Sequence, residues 1–473
     1  MASFYVENFG CRATQADGAA IERQFRDQGM HRASSPEEAD LVVLNTCTVT
    51  ASADQDARAA IRRVHRENPN CQIIVTGCYA QRAPEEIAAL PGVTKVIGNS
   101  HKHQLVELTH SPDSFVLLDQ LKTNNRKLQT DNLLHSPTEI YVSDIFAHTE
   151  LLAAPVFDAA NERTRPNLKV QDGCDNRCSF CVIPSVRGQS RSLPVPQILD
   201  ELNNLVTAGY REVVISGINL GRWGRDLPFG DNFEALVQTI LQKSSIEKLR
   251  ISSVEPMDWS DELIGLMASS SRIAKHTHVP MQSGSDAVLR RMHRKYRPWH
   301  YREKIEKIRT AMPTAAIGAD VMTGFPGETD SEFEETRRMV EDLPFTYLHV
   351  FTFSARPGTP AASMPKQVPV SVARERNGIL RDLASRKKLA FMENFVGKTL
   401  DTITLNVFDG QITESLTDNY LKLHLRGEHV PNNWVRAVIE DIQDGALIGC
   451  PQSQTIVIPS TGLSREESAV LSP

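Results

Sequence analysis

Over its first hundred residues the chain alternates short apolar runs with stretches whose apolar positions recur every three to four residues. SFYVENFG, ADLVVLNT, QIIVTG and TKVIG predict strands, and the segments after Thr14, Ser52 and Ala83 predict helices. The second helix is the best marked: Ser52 with Gln55 reads as a capping box, Ala57, Ile61 and Val64 share a face, and Pro69 follows its end. Strand then helix, repeated, predicts a parallel sheet. From about 106 to 165 the pattern decays into polar, turn-rich sequence such as TNNRKLQTDNLLHSPTE, which predicts a linker with some local packing. Six further apolar runs, NLKVQ, EVVISG, KLRISSV, HTHVPMQ, AIGADVMTGF and YLHVFTF, alternate with helical stretches and predict a whole or partial β/α barrel. Its chemistry is expected at the C-terminal ends of the strands. A basic helical stretch from about 371 to 396 then leads to LDTITLNVF, ITESLTD, YLKLHLR and WVRAVIEDI, evenly spaced short strands that predict a small antiparallel barrel. The expected fold class is therefore α/β, divided as 1–105, a linker 106–165, a core with helical extension 166–396, a β-barrel 397–460 and a tail 461–473.

Composition narrows the setting. The 473 residues are 40% apolar and 23% charged, ordinary for soluble globular units, and the length asks for two or three cores. A formal net charge of -6 gives no overall basic field, so any nucleic-acid contact must come from a local patch. The N-terminus MASFYVENFGC lacks both regions of a secretory signal, and no window reaches the ~18 unbroken apolar residues of a membrane span. The expected location is cytoplasmic, where grouped cysteines bind metal more often than they form disulfides.

Six of the eight cysteines fall into two groups of three. Cys174, Cys178 and Cys181 form a CxxxCxxC loop after the first strand of the second βα run. Three thiolates so spaced can hold three irons of a [4Fe-4S] cube and leave the fourth open. Structural zinc asks for four closed ligands, and no fourth thiol or histidine pair is near. Cys11, Cys47 and Cys78 each sit in the turn leaving a predicted strand, all on one sheet edge, which suits a second cluster site; unrelated small core residues are the alternative. Cys71 and Cys450 have no partners and read as packing residues. Candidates for cofactor contact at strand ends are Gly217 and Asn219, Glu255, and Gln282 with Ser283; Asp320 lies in the fifth strand and Arg356 in SARPGT. Between Arg272 and Arg309 eleven Lys and Arg stand against Asp286, Glu303 and Glu306 alone, beside Tyr296, Trp299 and Tyr301. That run is either a solvated helix face or a phosphate-binding stretch.

The CxxxCxxC loop, with Phe180 before its last cysteine, resembles the radical S-adenosylmethionine superfamily, in which the open iron chelates the amino-acid part of that cofactor. FGCRATQADG, NTCTVT, TGCYAQ, PSVRGQSRS, SSVEP, HVPMQSGSDAVLRRMHRKY, GFPGETDSEF and HVFTFSARPGTPAA resemble the methylthiotransferase branch, from residue 4 to about 458. The resemblance implies an auxiliary [4Fe-4S] cluster on Cys11, Cys47 and Cys78 beside the radical cluster on Cys174, Cys178 and Cys181. It also implies a terminal TRAM-type barrel, matched in SLTDNYLKLHL. Thr14 stands where the family commonly has Asn. NTCTVTASAD, IRRVHRENP, TGCYAQ and GINLGRWGRDL are similar to the branch acting on N6-threonylcarbamoyladenosine at position 37, in the tRNA anticodon stem-loop. Isopentenyladenosine 37 and a ribosomal-protein aspartate are alternative targets, and a non-catalytic RNA-binding iron-sulfur protein is the alternative of another class. The implied reaction uses one S-adenosylmethionine to methylate a sulfur held at the auxiliary cluster. A second yields the 5'-deoxyadenosyl radical that takes hydrogen from C2 of the adenine. Implied partners are a reducing protein such as flavodoxin or ferredoxin, and a sulfur source. Acids outnumber bases after Gly397, so the terminal barrel is expected to meet tRNA through a local face or aromatics such as Tyr420 and Trp434.

Overall fold

The computed structural model describes residues 2–110, 138–147, 164–228 and 230–452. Its first unit is a parallel sheet of β1 (Ser3–Asn8), β2 (His31–Arg32), β3 (Leu41–Thr46), β4 (Gln72–Gly77), β5 (Val93–Gly98) and β6 (Glu139–Tyr141), in the order β2-β1-β3-β4-β5-β6. β3 is buried at every position, as a central parallel strand covered on both faces must be. Helix α1 (Arg12–Asp27) buries Ile21 and Phe25 against Phe4, Val6 and Val43, while α2 (Ala51–Glu67) buries Ala57, Ile61 and Val64 against Val42, Leu44 and Val75. Cys71 is buried in that second layer. α2 is capped by Thr50 and not by Ser52. An N-cap is extended; Thr50 is, and its hydroxyl accepts from the Ala53 amide at 3.1 Å, whereas Ser52 is already helical. β6 comes from the stretch expected to be linker and pairs with β5 through Lys95↔Glu139 and Ile97↔Tyr141. So short a strand shows no period in sequence. The sheet order reverses between β1 and β3, the crevice where open α/β sheets take ligands.

The second unit contains β7 (Asn167–Asp172), β8 (Arg191–Ser192), β9 (Glu212–Gly217), β10 (Lys248–Ile251), β11 (His276–His278), β12 (Ala316–Thr323) and β13 (Tyr347–Thr352). Sheets β10-β9-β7-β8 and β11-β12-β13 are joined by the bridges Leu249↔Ile273 and Ser253↔His278. The result is an arc of parallel strands, one for each of the predicted runs, with β8 antiparallel on its rim. The arc stays open, since among the described residues β13 pairs with neither β7 nor β8. Leu168, Val170, Ile215, Leu249, Ile317, Ala319 and Val321 point outward into one core beneath the helices. Alternation along each strand then turns Lys169, Gln171, Arg250, His276, His278, Asp320, Tyr347 and His349 to the concave side. A closed β/α barrel fills this space with branched apolar side chains; here it is polar.

The helix Val370–Glu393 leads to a closed barrel of β14 (Thr399–Phe408), β15 (Ile412–Thr417), β16 (Lys422–Arg426), β17 (Trp434–Gln443) and β18 (Ala446–Pro451), in the order β14-β15-β16-β18-β17. Met392 and Phe395 at the helix end plug its core of Leu423, Leu425, Ala437, Ile439 and Leu447. The barrel docks on the strand starts of the arc, with Lys248 on Asp418 at 2.9 Å and Arg211 on Asn433 at 3.0 Å. It therefore lies at the end opposite the CxxxCxxC loop. No helix among the described residues is long and apolar enough to cross a membrane.

Candidate active site

The lone cysteines are placed by strand ends. Gly10 and Gly77 both have a φ of +100°, immediately before Cys11 and Cys78, a turn that glycine takes without strain. β3 and β4 are in register at Thr46↔Gly77, so Cys47 and Cys78 leave the sheet side by side. Cys47 lies against Gly10 on its other side. Neighbouring strands are ~4.8 Å apart, which brings three adjacent strand ends within reach of one cube. Burial, then Cys78 and Cys11, push the Cys47 thiol up to about 12.

The first sheet caps the open flank of the arc. At one rim Asn167 Nδ2 donates to the Arg12 carbonyl at 3.1 Å, and just past β13 the Ala51 amide donates to the Ser354 hydroxyl at 3.1 Å. Cys78 consequently packs against Val182 and Val186, in the segment that follows Cys181. The two trios meet across this one apolar contact.

Backbone hydrogen bonds hold the CxxxCxxC loop: Cys174 N–H to Gly188 O at 3.1 Å, Ser179 N–H to Met292 O at 3.1 Å, and Ala361 N–H to Ser179 O at 2.8 Å. Burial pushes the Cys174 thiol up, and the Cys181 thiol up to about 12. Such thiols do not ionise unaided; a coordinating metal deprotonates them. Polar groups already stand at the sulfurs. Arg294 Nη1 is 3.2 Å from Cys178 Sγ, Asn219 Nδ2 is 3.6 Å from Cys174 Sγ, Asn99 Nδ2 is 3.5 Å from Cys78 Sγ and Thr14 Oγ1 is 3.6 Å from Cys11 Sγ. N–H groups aimed at sulfur stabilise the thiolate and tune the potential of a cluster. Two all-sulfur sets of three, with every cysteine free, fit iron-sulfur ligation better than a closed zinc site.

A buried ionic network lies beside the trio of Cys11, Cys47 and Cys78. Asp17 of α1 accepts from Lys102 at 3.0 Å, from Arg187 at 3.0 Å and from Lys169. Asp172 accepts from Lys169 and Arg187, each at 3.0 Å. Burial by itself would raise the Asp17 carboxyl, but Lys102, Lys169 and Arg187 outweigh it and hold the group well below the usual carboxylate range. Three cations against two anions leave positive charge beside Cys11 and Cys78, both within electrostatic reach of Arg187.

The residues expected to contact a cofactor divide into two sets. Asn219 and Glu255 reach the CxxxCxxC loop, Asn219 directly and Glu255 through its ion pair with Arg294. Gly217 leaves room for Gln171, whose Oε1 accepts from the Asn219 amide at 2.7 Å. Gln282, held at φ +61°, keeps a buried Oε1 without a partner among the described residues, as does Asn219 Oδ1. The other three are engaged elsewhere. Ser283 bonds Thr336 Oγ1 at 3.0 Å and caps the Ser285 amide at 3.1 Å. Asp320 is held by His278 and His349. Arg356 pairs with Asp54 and donates to Thr48 Oγ1 at 2.8 Å, so it bolts α2 to the arc, and its Nε stays buried without a partner among the described residues.

Part of the basic stretch turns inward, while Arg290, Lys295, Arg302 and Lys307 stay at the surface. Arg272 is spent on the carbonyls of Leu241, Ser244 and Ile246, Arg291 on Glu332, and Arg294 lies inside. Tyr296 and Tyr301 are buried, which leaves Trp299 exposed. Tyr420 stacks on His276 and Trp434 receives Lys248, so both barrel aromatics face the arc. Sequence reading missed Arg294 as a sulfur contact, Asn99, and the Asp17 network. The signal present was a lysine, Lys169, inside the apolar run NLKVQ.

Residues 3–98 match the family described as Uncharacterized protein family UPF0004, and residues 168–340 match the Radical SAM superfamily. The threonylcarbamoyladenosine tRNA methylthiotransferase of Bacillus subtilis is 35% identical over 90% of this chain and 91% of its own length. That of Aquifex aeolicus is 34% identical over 92% and 99%. The chain belongs to the radical S-adenosylmethionine methylthiotransferase family. A tRNA-2-methylthio-N(6)-dimethylallyladenosine synthase from Agrobacterium fabrum is also 35% identical, over 84% and 86%, so overall identity does not separate the branches. A radical S-adenosylmethionine methyltransferase from Kitasatospora setae, with cobalamin and a [4Fe-4S] cluster bound, shares the fold over 76% of this chain and 77% of its own, at a TM-score of 0.54 and 14% identity. This methylthiotransferase is thus an enzyme of radical chemistry, with a [4Fe-4S] cluster and S-adenosylmethionine as cofactors.

Proposed function

We propose that this methylthiotransferase adds a methylthio group to C2 of N6-threonylcarbamoyladenosine at position 37 of tRNA, using two [4Fe-4S] clusters. The observation that carries the reading is the seating of Cys78 against Val182 and Val186, which sets Cys11, Cys47 and Cys78 beside the loop of Cys174, Cys178 and Cys181. A radical generator needs the CxxxCxxC trio alone. A second trio, two of its three cysteines buried and all brought in by a sheet that caps the open flank, gives sulfur and radical access to one base, and proximity of this kind supplies much of a barrier reduction. When bound, the radical cluster with S-adenosylmethionine supplies the 5'-deoxyadenosyl radical and the auxiliary cluster supplies the sulfur.

The chain's own residues bind and orient. Arg294 and Asn219 hold the radical-site sulfurs, and Glu255 holds Arg294. Asn219 Oδ1 and Gln282 Oε1 offer two buried acceptors to donors of the cofactor. The capping sheet excludes water from the opening between β7 and β13. A reductant such as flavodoxin or ferredoxin and a sulfur source complete the reaction in the cytoplasm. In this reading 1–105 is the auxiliary-cluster unit, 166–396 the radical core with its helix, and 397–460 the terminal barrel, whose last described strand ends at Pro451.

Nucleoside mass spectrometry of tRNA from cells lacking the gene tests the target. 2-Methylthio-threonylcarbamoyladenosine is expected to disappear, and its persistence at wild-type level would sink the assignment. Reconstituted protein is expected to hold about eight irons, falling to about four when Cys11, Cys47 and Cys78 become Ala.

A further inference from the structure

The inner wall of β11 to β13 carries chemistry that neither thiol trio uses. His276 and His278, Asp320, and Tyr347 and His349 alternate with residues of the outer core, so all of them face the chamber. Asp320 Oδ1 accepts from His278 Nε2 at 3.1 Å and from His349 Nδ1 at 3.2 Å. The Tyr347 hydroxyl lies 3.0 Å from His278 Nδ1 and 2.7 Å from His276 Nε2. One set of tautomers satisfies the chain: His278 Nε2–H on Asp320, Tyr347 O–H on His278 Nδ1, and His276 Nε2–H on the Tyr347 oxygen. Burial and Arg250 lower His276 well below the ordinary histidine value, so it is neutral as this set requires. His276 Nδ1 stays buried without a partner among the described residues, and the nitrogen left on the exposed side is His349 Nε2. It meets no partner among the described residues, on a side chain that is 63% exposed.

The surroundings show what this nitrogen faces. A side chain at Gly318 would run into the Tyr347 ring, so glycine there lets the phenol lie flat on the wall. Tyr420 of the terminal barrel closes the floor, 4.3 Å from His276 and 5.7 Å from Tyr347 between ring centres. Arg12 Nη2 donates to the Tyr420 hydroxyl at 3.4 Å, and Arg12 directly follows Cys11. The polar wall and the auxiliary trio therefore border one chamber.

We propose that His349, fixed in orientation by Asp320, is the residue that reads the N6 substituent of the base, its Nε2 accepting from the threonyl hydroxyl, with Arg12 supplying positive charge for the carboxylate. The inference rests on the threonylcarbamoyladenosine reading and deepens it. The two candidate substituents differ in kind: threonylcarbamoyl carries a carboxylate, a hydroxyl and ureido N–H groups, while dimethylallyl is hydrocarbon. Imidazoles, phenols, a carboxylate and a guanidinium satisfy the first and would lie stranded beneath the second. Sites built to hydrogen-bond a substrate reject the analogue lacking those groups by on the order of 10⁴–10⁵. This wall separates the branches where overall identity does not.

The test is steady-state kinetics of the reconstituted enzyme on anticodon stem-loops carrying either threonylcarbamoyladenosine or its glycine analogue, which keeps the carboxylate and lacks the side-chain hydroxyl. His349→Ala is expected to raise KM for the natural stem-loop by roughly 10- to 100-fold with little change in kcat, and His349→Gln to restore part of it. Release of 5'-deoxyadenosine without RNA should stay at the wild-type rate. The glycine analogue should cost the wild-type enzyme a similar factor and cost His349→Ala far less, because the lost contact is the same one. A native KM in His349→Ala, or equal losses on both stem-loops, overturns the proposal. The ligating atoms of His278, Asp320 and His349 lie within 4.8 Å of one another. One equivalent of a divalent metal beyond the cluster iron, lost in His349→Ala, would therefore overturn it too. Wild-type turnover of an isopentenyladenosine stem-loop and not the threonylcarbamoyl one would bring down the functional reading and this inference together, whereas wild-type turnover with an indifferent variant brings down the inference alone.

Discussion

Replacing Asp17 by Asn tests whether one carboxylate holds the ionic network beside Cys11 and Cys78. The change keeps the volume and removes a buried negative charge that accepts from Lys102, Lys169 and Arg187. Lys169 and Arg187 retain Asp172, but Lys102 retains only Asn45 Oδ1 at 3.2 Å. Burial already lowers Lys102, and Asp17 is the main group opposing it. In the variant Lys102 therefore sheds its proton on folding. Neutralising a lysine of ordinary pKa at pH 7 costs about 5 kcal/mol, which sets a ceiling. Removing one partner of a buried pair costs ~3–5 kcal/mol, so a loss in that range is expected. The pH dependence carries the sign: the unfolded variant binds a proton at Lys102 that the folded one does not, so stability rises with pH, by up to ~1.4 kcal/mol per unit between 7 and 9. In the wild type the depressed Asp17 keeps its contribution at neutral pH, and that contribution fades only as pH falls below the ordinary carboxylate range. Urea unfolding of the anaerobically reconstituted protein, followed by circular dichroism at pH 7, 8 and 9, reads both quantities. Adding Lys102→Met should return most of the loss. A single-variant loss below about 1 kcal/mol, or a profile no steeper than the wild type's, would refute the reasoning.

Two further outcomes follow from the geometry. Arg294→Gln removes the guanidinium donor to Cys178 and leaves Glu255 without its ion pair. The midpoint potential of the radical cluster should fall by on the order of tens of millivolts in an electron-paramagnetic-resonance titration, with the auxiliary cluster unmoved. Gly77→Ala puts a side chain at φ +100° against the Thr46 backbone, directly before Cys78. Iron content should drop from about eight to about four per chain, with roughly 1 kcal/mol or more of stability lost; full iron loading would show that the turn tolerates the methyl.

The parts legible in sequence were those with a local signature. Apolar runs at regular spacing predicted every strand of the arc, because a strand covered by helices must be apolar along its outer face. CxxxCxxC was legible because its three ligands share one loop. β6 was not, since three residues in a polar stretch show no period, and Ser52 was favoured over Thr50 because sequence alone does not show where the chain stops being extended.

The tertiary structure decided everything that depends on distant segments meeting. Arg356 became a bolt because Asp54, 302 positions away, arrives beside it. Arg272 and Arg291, within the basic run, turned onto carbonyls and a carboxylate that their own neighbourhood does not announce. Asp17 meets Lys169 across 152 positions, and a charge buried in a parallel strand is stable only because that partner comes. The chain itself determined that one trio of thiols would form a loop at a strand end. That Cys78 of the second trio would seat against the segment following Cys181 followed from the docking of one sheet onto the open flank of another. Periodicity specifies which face of a strand is buried, but only assembly specifies what lies opposite.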